Sequence, residues 1–241
     1  MARVIFFDLF ETLITHFDPD WTPPPQTIAA RLGISDDIYN ASWPEFDRAW
    51  QAGQIATHGD ALARLCAVAG NETVPDVVTE LTREYEQEIA RIYGSIESEI
   101  IAMVSTLKDS GFKLSIITNA SDLDTAPWPG CALAPYFDDF VASHDVGLLK
   151  RDRRIFDLAC ERLGVEQADA LFVGDGGGDE LRGATEAGMD AYWCTWFLDL
   201  WPAGIRPNGF PGDDWRQSAT PAAPPYPRLA RPSDVIDVAR Q

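Results

Sequence analysis

The chain has 241 residues, of which 46% are hydrophobic and 24% charged. That is enough for one large domain or two small ones, and it excludes a collagen-like or wholly disordered chain. Nineteen basic residues face 38 acidic ones, a net charge of −19. Such a balance argues against nucleic acid and against anionic membranes as partners, because both need cationic surfaces. A small anionic substrate would need a local cation, a metal or a helix N-terminus.

Cys66, Cys131, Cys160 and Cys194 form no CxxC pair and read as reduced thiols of the cytosol. The apolar start, MARVIFFDLFETLITHF, carries Asp8 and Glu11 inside it and is too short to span a membrane. The expectation is a soluble, cytoplasmic protein. No feature of the sequence addresses its oligomeric state.

Val4–Phe7 is a continuous β-prone run, suited to a strand buried on both faces of a parallel sheet. The next stretch, from about 24 to 93, has no strand-like run. It predicts helices at Pro25–Leu32, Asp36–Gln51, Gly59–Ala69 and Pro75–Tyr93, broken at Gly33, Gly53 and Gly70. Leu81, Tyr85, Glu88 and Ile92 carry the helical spacing of the last. Strand and helix then alternate. The strands are Lys113–Thr118, Phe140–Ala142, Ala170–Val173 and Ala191–Thr195, and the helices are Ser98–Ser110, Arg154–Leu163 and Asp179–Ala187. This order predicts an α/β fold, a doubly wound parallel sheet over residues 1–14 and 95–241, with a helical domain inserted at 15–94. Residues 198–232 hold eight prolines and cannot be helix or central strand. We expect an arm packed by Trp201, Phe210, Trp215 and Tyr226, followed by a closing helix at Ser233–Arg240.

Ligands of an open parallel sheet bind at the carboxyl ends of its strands. The first strand leads into Asp8-Leu9-Phe10-Glu11-Thr12-Leu13, the second into Thr118-Asn119, the third at a short distance into Lys150, and the fourth into Asp175-Gly176-Gly177-Gly178-Asp179-Glu180. A carboxylate, a hydroxyl, an ammonium and an acidic pair thus converge on one rim. That set suits metal-assisted displacement at an anionic centre. Lys150 stands out because the 19 basic residues include only three Lys, at 108, 113 and 150. The three glycines lack the GxGxxG pattern of a dinucleotide site. His16, His58 and His144 make no metal or triad pattern.

The order DLFETL, IITNAS, GLLKRDRRIF, LFVGDGGGDELRGATEAGM resembles the four motifs of the haloacid dehalogenase-like (HAD) hydrolases over roughly residues 3–197. The inserted helices resemble that family's C1 cap. The resemblance implies a Rossmann-like core with Asp8 as a nucleophile that forms an aspartyl intermediate. It further implies that Thr118 and the Asn119 backbone bind the transferring group and that Lys150 offsets charge. Mg2+ would be held by Asp8, the Phe10 backbone carbonyl, Asp175 and Asp179, with Glu180 as the competing choice to Asp179. Gly53 and Gln54, between the second and third cap helices, would face the active site and choose the substrate. Cap movement would hinge at the two crossings near residues 15–20 and 93–97.

Departures from the pattern divide the branches of the family. Phe10 stands where phosphatases of the family carry a second Asp that acts as general acid and base. Arg151 stands where Pro commonly follows the Lys, and Glu11 where a small residue is common. Haloacid dehalogenases tolerate a non-acid at position 10 but work without metal, whereas Asp175 and Asp179 would repel Asp8 unless a cation lay between them. Phosphonoacetaldehyde hydrolases need a cap Lys, and residues 15–94 contain none. The favoured expectation is a Mg2+-dependent phosphatase acting on a small phosphate ester. The alternatives are a 2-haloacid dehalogenase-type hydrolase and a scaffold that binds a ligand without turnover.

Overall fold

The computed structural model describes residues 4–22, 24–201 and 226–241. At its centre lies β1 (Val4–Phe7), with all four residues buried. The elements that follow are α1 (Ile28–Arg31), α2 (Asp36–Gln51), α3 (His58–Val68), α4 (Pro75–Gly94), α5 (Ser98–Asp109) and β2 (Lys113–Thr118). Then come α6 (Asp122–Thr125), β3 (Asp139–Ala142), α7 (Ser143–Val146), α8 (Arg153–Leu163), β4 (Ala170–Gly174) and α9 (Glu180–Ala187). The described chain ends with β5 (Asp190–Cys194), β6 (Arg228–Leu229) and α10 (Asp234–Ala239).

The six strands form one parallel sheet in the order β3-β2-β1-β4-β5-β6. β1 pairs with β2 on one side (Val4↔Lys113) and with β4 on the other (Val4↔Ala170). The chain winds outward first to one side of β1 and then to the other. The reversal opens a crevice at the carboxyl end of β1, where α/β sheets hold their ligands. Alternation along β1 supplies both faces. Ile5 and Phe7 pack with Ile100, Met103, Val104 and Leu107 of α5 and with Val235 and Ala239 of α10. Val4 and Phe6 pack with Ile155, Phe156 and Ala159 of α8 and with Leu181 and Ala184 of α9. Burying a large apolar side chain contributes roughly 1.5–3 kcal/mol, so these two layers dominate the stability of the sheet.

Helices α1–α4 follow β1 and carry a core of their own, built on Ala29, Leu32, Leu62, Leu65, Cys66 and Leu81. Side chains of Thr27, Ser35 and Thr57 accept backbone N–H bonds at the starts of α1, α2 and α3. The first helix covers Ile28–Arg31 rather than Pro25–Leu32, because the Thr27 cap fixes its start. On α4, Leu81 and Ile92 are buried with Ile89, whereas Glu88 turns outward to pair with Arg91. Three short elements were invisible to periodicity. α6, closed by a Ser121/Asp124 capping box, and α7 are each one turn long, and β6 has two residues on the sheet edge. Of the expected arm, Trp201 is buried and Tyr226 packs on the second core layer, while Phe210 and Trp215 lie outside the described residues.

The inserted helices meet the sheet layer through apolar contacts, with Ile89, Ile92 and Tyr93 of α4 in one cluster with Ile5 and Phe7, and through hydrogen bonds. Trp50 Nε1 donates to Asp122 Oδ1 at 2.8 Å, Tyr85 Oη to Asp124 Oδ1 at 2.5 Å, and Ser143 Oγ to the Gln51 carbonyl at 2.6 Å. Gly53, at φ 66°, ends α2 so close to α7 that a Cβ there would lie 2.6 Å from the His144 carbonyl oxygen. Among the described residues no helix is long and apolar enough to cross a membrane.

Burial and the neighbouring Asp124 push the Asp47 carboxyl up to about 7. A group whose folded pKa is raised binds its proton more tightly in the native state, so stability falls as pH rises between about 4 and 7. Asp47→Asn, which keeps an acceptor for Gln51, should leave stability at pH 4 nearly unchanged. At pH 8 it should raise the melting temperature by about 2–4 °C, on the order of 1 kcal/mol. Paired thermal melts across pH check this, and a constant difference between the two proteins would contradict it.

Candidate active site

Asp8 extends β1 by one residue, its N–H donating to the Val173 carbonyl at 2.9 Å. The chain then turns sharply. The Leu9 carbonyl accepts from Leu13 and Ile14, and Glu11 N–H donates to the Ile14 carbonyl. Glu11 sits at φ 57°, left-handed backbone that is unfavourable for a side chain of this type. Its buried carboxylate accepts from Thr15 Oγ1 (2.7 Å), His16 N (2.8 Å) and Trp201 Nε1 (3.0 Å), and lies 3.1 Å from His16 Nδ1. These partners hold the turn in a shape that the backbone alone would not choose. The Phe10 ring stacks on His16 with centroids 5.0 Å apart.

Asp8 is 4% exposed. One carboxylate oxygen accepts from Thr12 Oγ1 at 3.2 Å, and the other forms an ion pair with Lys150. Lys150, also 4% exposed, pairs in addition with Glu180. The Lys150 N–H donates to Asn119 Oδ1 at 2.8 Å, which ties the segment after α7 to the end of β2. Burial by itself would lower the Lys150 ammonium, but the facing carboxylates of Asp8 and Glu180 reverse this and raise it, so the ammonium is charged.

Asp8, Asp175 and Glu180 are all buried, and one carboxylate oxygen from each lies within 4.8 Å of the others. Burial and then the Asp8 charge push Asp175 up to about 7. The same causes raise Glu180, with Lys150 pulling in the opposite direction. Three buried carboxylates share one ammonium, and the donors are all oxygen. That chemistry fits a hard divalent cation. Both Glu180 oxygens have partners, Lys150 and the Gly176 N–H, and so do both Asp8 oxygens, Lys150 and Thr12 Oγ1, whereas among the described residues Asp175 accepts only the Gly177 N–H, on Oδ1. Gly174 makes room for Glu180, since a Cβ there would lie 2.0 Å from Glu180 Oε1.

Asp179 is outside this group. Its side chain is 48% exposed and pairs with Arg182 at 2.7 Å and Arg151 at 4.0 Å. Gly176, Gly178 and Asp179 all have positive φ, so the loop coils before α9 starts at Glu180. Helical side chains lean toward the helix N-terminus, which returns Glu180 over the end of β4 and leaves Asp179 outside. The acids that meet at the rim are thus Asp8, Asp175 and Glu180, and the expected Asp179 lies outside them.

Thr118 ends β2, with its Oγ1 buried and without a hydrogen-bond partner among the described residues. An unpaired buried hydroxyl is costly and calls for an acceptor that a ligand would bring. The Asn119 amide is engaged in the scaffold through Lys150. Gly53 seats the cap on α7. Gln54 lines an open groove of about 520 Å³ with Ala56, Asp60, Ala63, Arg64 and Ala67, all cap residues, and none of the rim residues borders it. The sequence pattern does not mark Thr12 and Glu11 as site residues. The signal for Glu11 was an acid inside an apolar run, and Thr12 could be found only once the turn was known.

The sequence model of the haloacid dehalogenase-like hydrolases matches residues 2–188. The phosphoserine phosphatase of Thermus thermophilus is 32% identical over 178 residues, 73% of this chain and 68% of that protein. The glyceraldehyde 3-phosphate phosphatase of Methanopyrus kandleri is 34% identical over 94 residues, and the match spans 38% of this chain and 40% of that protein. The fold is similar to the crystal structure of a 2-haloacid dehalogenase from Pseudomonas syringae pv. Tomato, with a TM-score of 0.63 and 22% identity over 100% of this chain and 99% of the other. With an aspartate at the end of β1, a lysine after β3, buried acids after β4 and a match over most of its length, the chain belongs to the haloacid dehalogenase-like hydrolases and is a hydrolase.

Proposed function

We propose that this hydrolase is a Mg2+-dependent phosphatase that cleaves small phosphate esters through a covalent intermediate on Asp8. The observation that carries the reading is the buried triad of Asp8, Asp175 and Glu180 around Lys150. Its charge excess would repel an anionic substrate unless a cation were bound. The phosphatases among its relatives support the same class of substrate. Four free, buried cysteines suit a reducing compartment, in keeping with a cytoplasmic enzyme.

Asp8 attacks phosphorus with one carboxylate oxygen, the ester P–O bond breaks, and the leaving oxygen departs with its electron pair. Water then attacks phosphorus of the acyl phosphate, releases inorganic phosphate and restores the Asp8 carboxylate. Mg2+, held by Asp8, Asp175 and the Phe10 carbonyl with Glu180 beside it, would offset the charge of both the nucleophile and the phosphoryl oxygens. Lys150 pairs with the Asp8 carboxylate and orients it. The unpaired Thr118 hydroxyl donates to a phosphoryl oxygen, and the Asn119 amide keeps Lys150 in place. Phe10 supplies no proton, so the leaving group takes one from solvent. Gly53 and Gln54, between α2 and α3, would take part in substrate choice.

A panel of phosphate esters and 2-haloacids, each assayed with Mg2+ and with EDTA, tests the class. Ester turnover that vanishes in EDTA and in Asp8→Asn and Asp175→Asn is expected, whereas haloacid turnover undiminished by EDTA would establish a dehalogenase instead. Without a general acid, worth roughly 10²–10⁴-fold, aryl phosphates should turn over far faster than alkyl phosphates. Phe10→Asp should raise the alkyl rate selectively, and a flat dependence on leaving-group pKa in the wild type would contradict this. Thr118→Val should leave the melting temperature unchanged or slightly raised, because it removes an unpaired hydroxyl, yet lower kcat/KM by roughly 10²–10³-fold.

A further inference from the structure

Trp196 and Trp201 lie after β5, beyond residue 188 where the family match ends. Both indoles reach back to the turn that carries Asp8. Trp196 Nε1 donates to the Thr12 carbonyl at 2.9 Å, and Trp201 Nε1 to Glu11 Oε2 at 3.0 Å. The buried Trp201 ring meets Phe17 edge-on at 5.4 Å. Cys194 Sγ lies 3.5 Å from Thr12 Oγ1, the hydroxyl that donates to Asp8. The segment is braced from its other side by β6. Trp193 and Thr195 donate to the carbonyls of Pro227 and Leu229, and the Arg228 guanidinium bonds the Thr195 hydroxyl and the Asp199 carboxylate.

The turn after Asp8 needs such support. Glu11 occupies left-handed backbone, and its carboxylate gathers donors from Thr15, His16 and Trp201 in that conformation. Of these, only the Trp201 indole comes from outside the loop. Withdrawing it frees the turn to relax, and the relaxation passes to Asp8 through Thr12. A displacement of about 1 Å at a reacting group can lower a rate by about 10²-fold.

We propose that Trp201, with Trp196 beside it, is a positioning residue that holds the nucleophile turn, through Glu11 and Thr12, in the geometry from which Asp8 attacks. This rests on the reading of Asp8 as nucleophile. It makes the chain that follows the family's shared region part of the working site, although it touches neither substrate nor reacting atoms.

The decisive variant is Trp201→Phe, which retains an aromatic ring against Phe17 and removes the indole N–H. On an aryl phosphate with Mg2+, kcat should fall roughly 10- to 100-fold while KM stays within about two-fold. Hydrogen exchange read by mass spectrometry should be faster in the peptide covering residues 9–16 and unchanged in the cap helices. Trp128→Phe, which trims a ring packed on Phe137 and Phe140, should leave kcat unchanged. In a cycle with Glu11→Gln the two losses should be less than multiplicative, since both act through one hydrogen bond. Unchanged kcat, multiplicative losses or unchanged exchange in residues 9–16 would each overturn the proposal. If the wild type turned over no ester, the phosphatase reading would fail separately. The exchange experiment would still decide whether Trp201 holds the turn.

Discussion

A single buried ammonium makes the active-site rim possible. Lys150 lies between the carboxylates of Asp8 and Glu180, with Asp175 close by, in a place with almost no solvent to screen their repulsion. Truncating one partner of a buried ion pair commonly costs 3–5 kcal/mol, because the remaining charge is left uncompensated. Much of the surrounding structure serves this arrangement. The Asn119 side chain anchors the Lys150 backbone, Gly174 clears the volume that Glu180 occupies, and Gly176 donates to the carboxylate of Glu180. The ammonium still leaves the site short of positive charge, and that shortage is what a divalent cation and an anionic substrate can exploit together.

The turn after Asp8 shows a second use of a buried acid. Glu11 is as well buried as Asp8, but its oxygens are taken up by Thr15, His16 and Trp201. Its task is structural: it trades a strained backbone for satisfied donors. Phe10, at the position where the sequence pattern leads one to expect an acid, stacks on His16 and packs against the first core layer, and it offers no proton. The two features belong together, since both put packing and shape where polar chemistry is common. The contacts of the cap with the core combine hydrogen bonds from Trp50, Tyr85 and Tyr93, one from Ser143 to the Gln51 carbonyl, a close glycine approach, and the apolar side chains of Ile89, Ile92 and Tyr93, which share a buried cluster with Ile5 and Phe7.

Local pattern was sufficient wherever one element's identity depends on its own residues. Val4–Phe7 and Ala170–Val173 are apolar on both faces, so they read as central strands without knowledge of their neighbours, and the strand-end acids Asp8 and Asp175 follow from them. The inserted helices could be read from their periodicity and glycine breaks, and Lys150 from the scarcity of Lys. One-turn helices and a two-residue edge strand could not, because α6, α7 and β6 exist only through caps and pairing with distant chain.

By itself, then, the sequence determined the parallel α/β core, the helical insertion and the order of chemical groups along the rim. All of these follow from hydrophobic period and from which residues end each strand. Tertiary structure alone placed Glu180, and not Asp179, beside Asp8 and Asp175, because three left-handed residues in the glycine loop rotate the chain by an amount that spacing does not encode. It also decided that Gln54 lines a groove within the cap, and that Trp196 and Trp201, nearly two hundred residues after Asp8, brace its turn. Contacts between segments so far apart depend on how the whole sheet winds, and no local pattern carries that information.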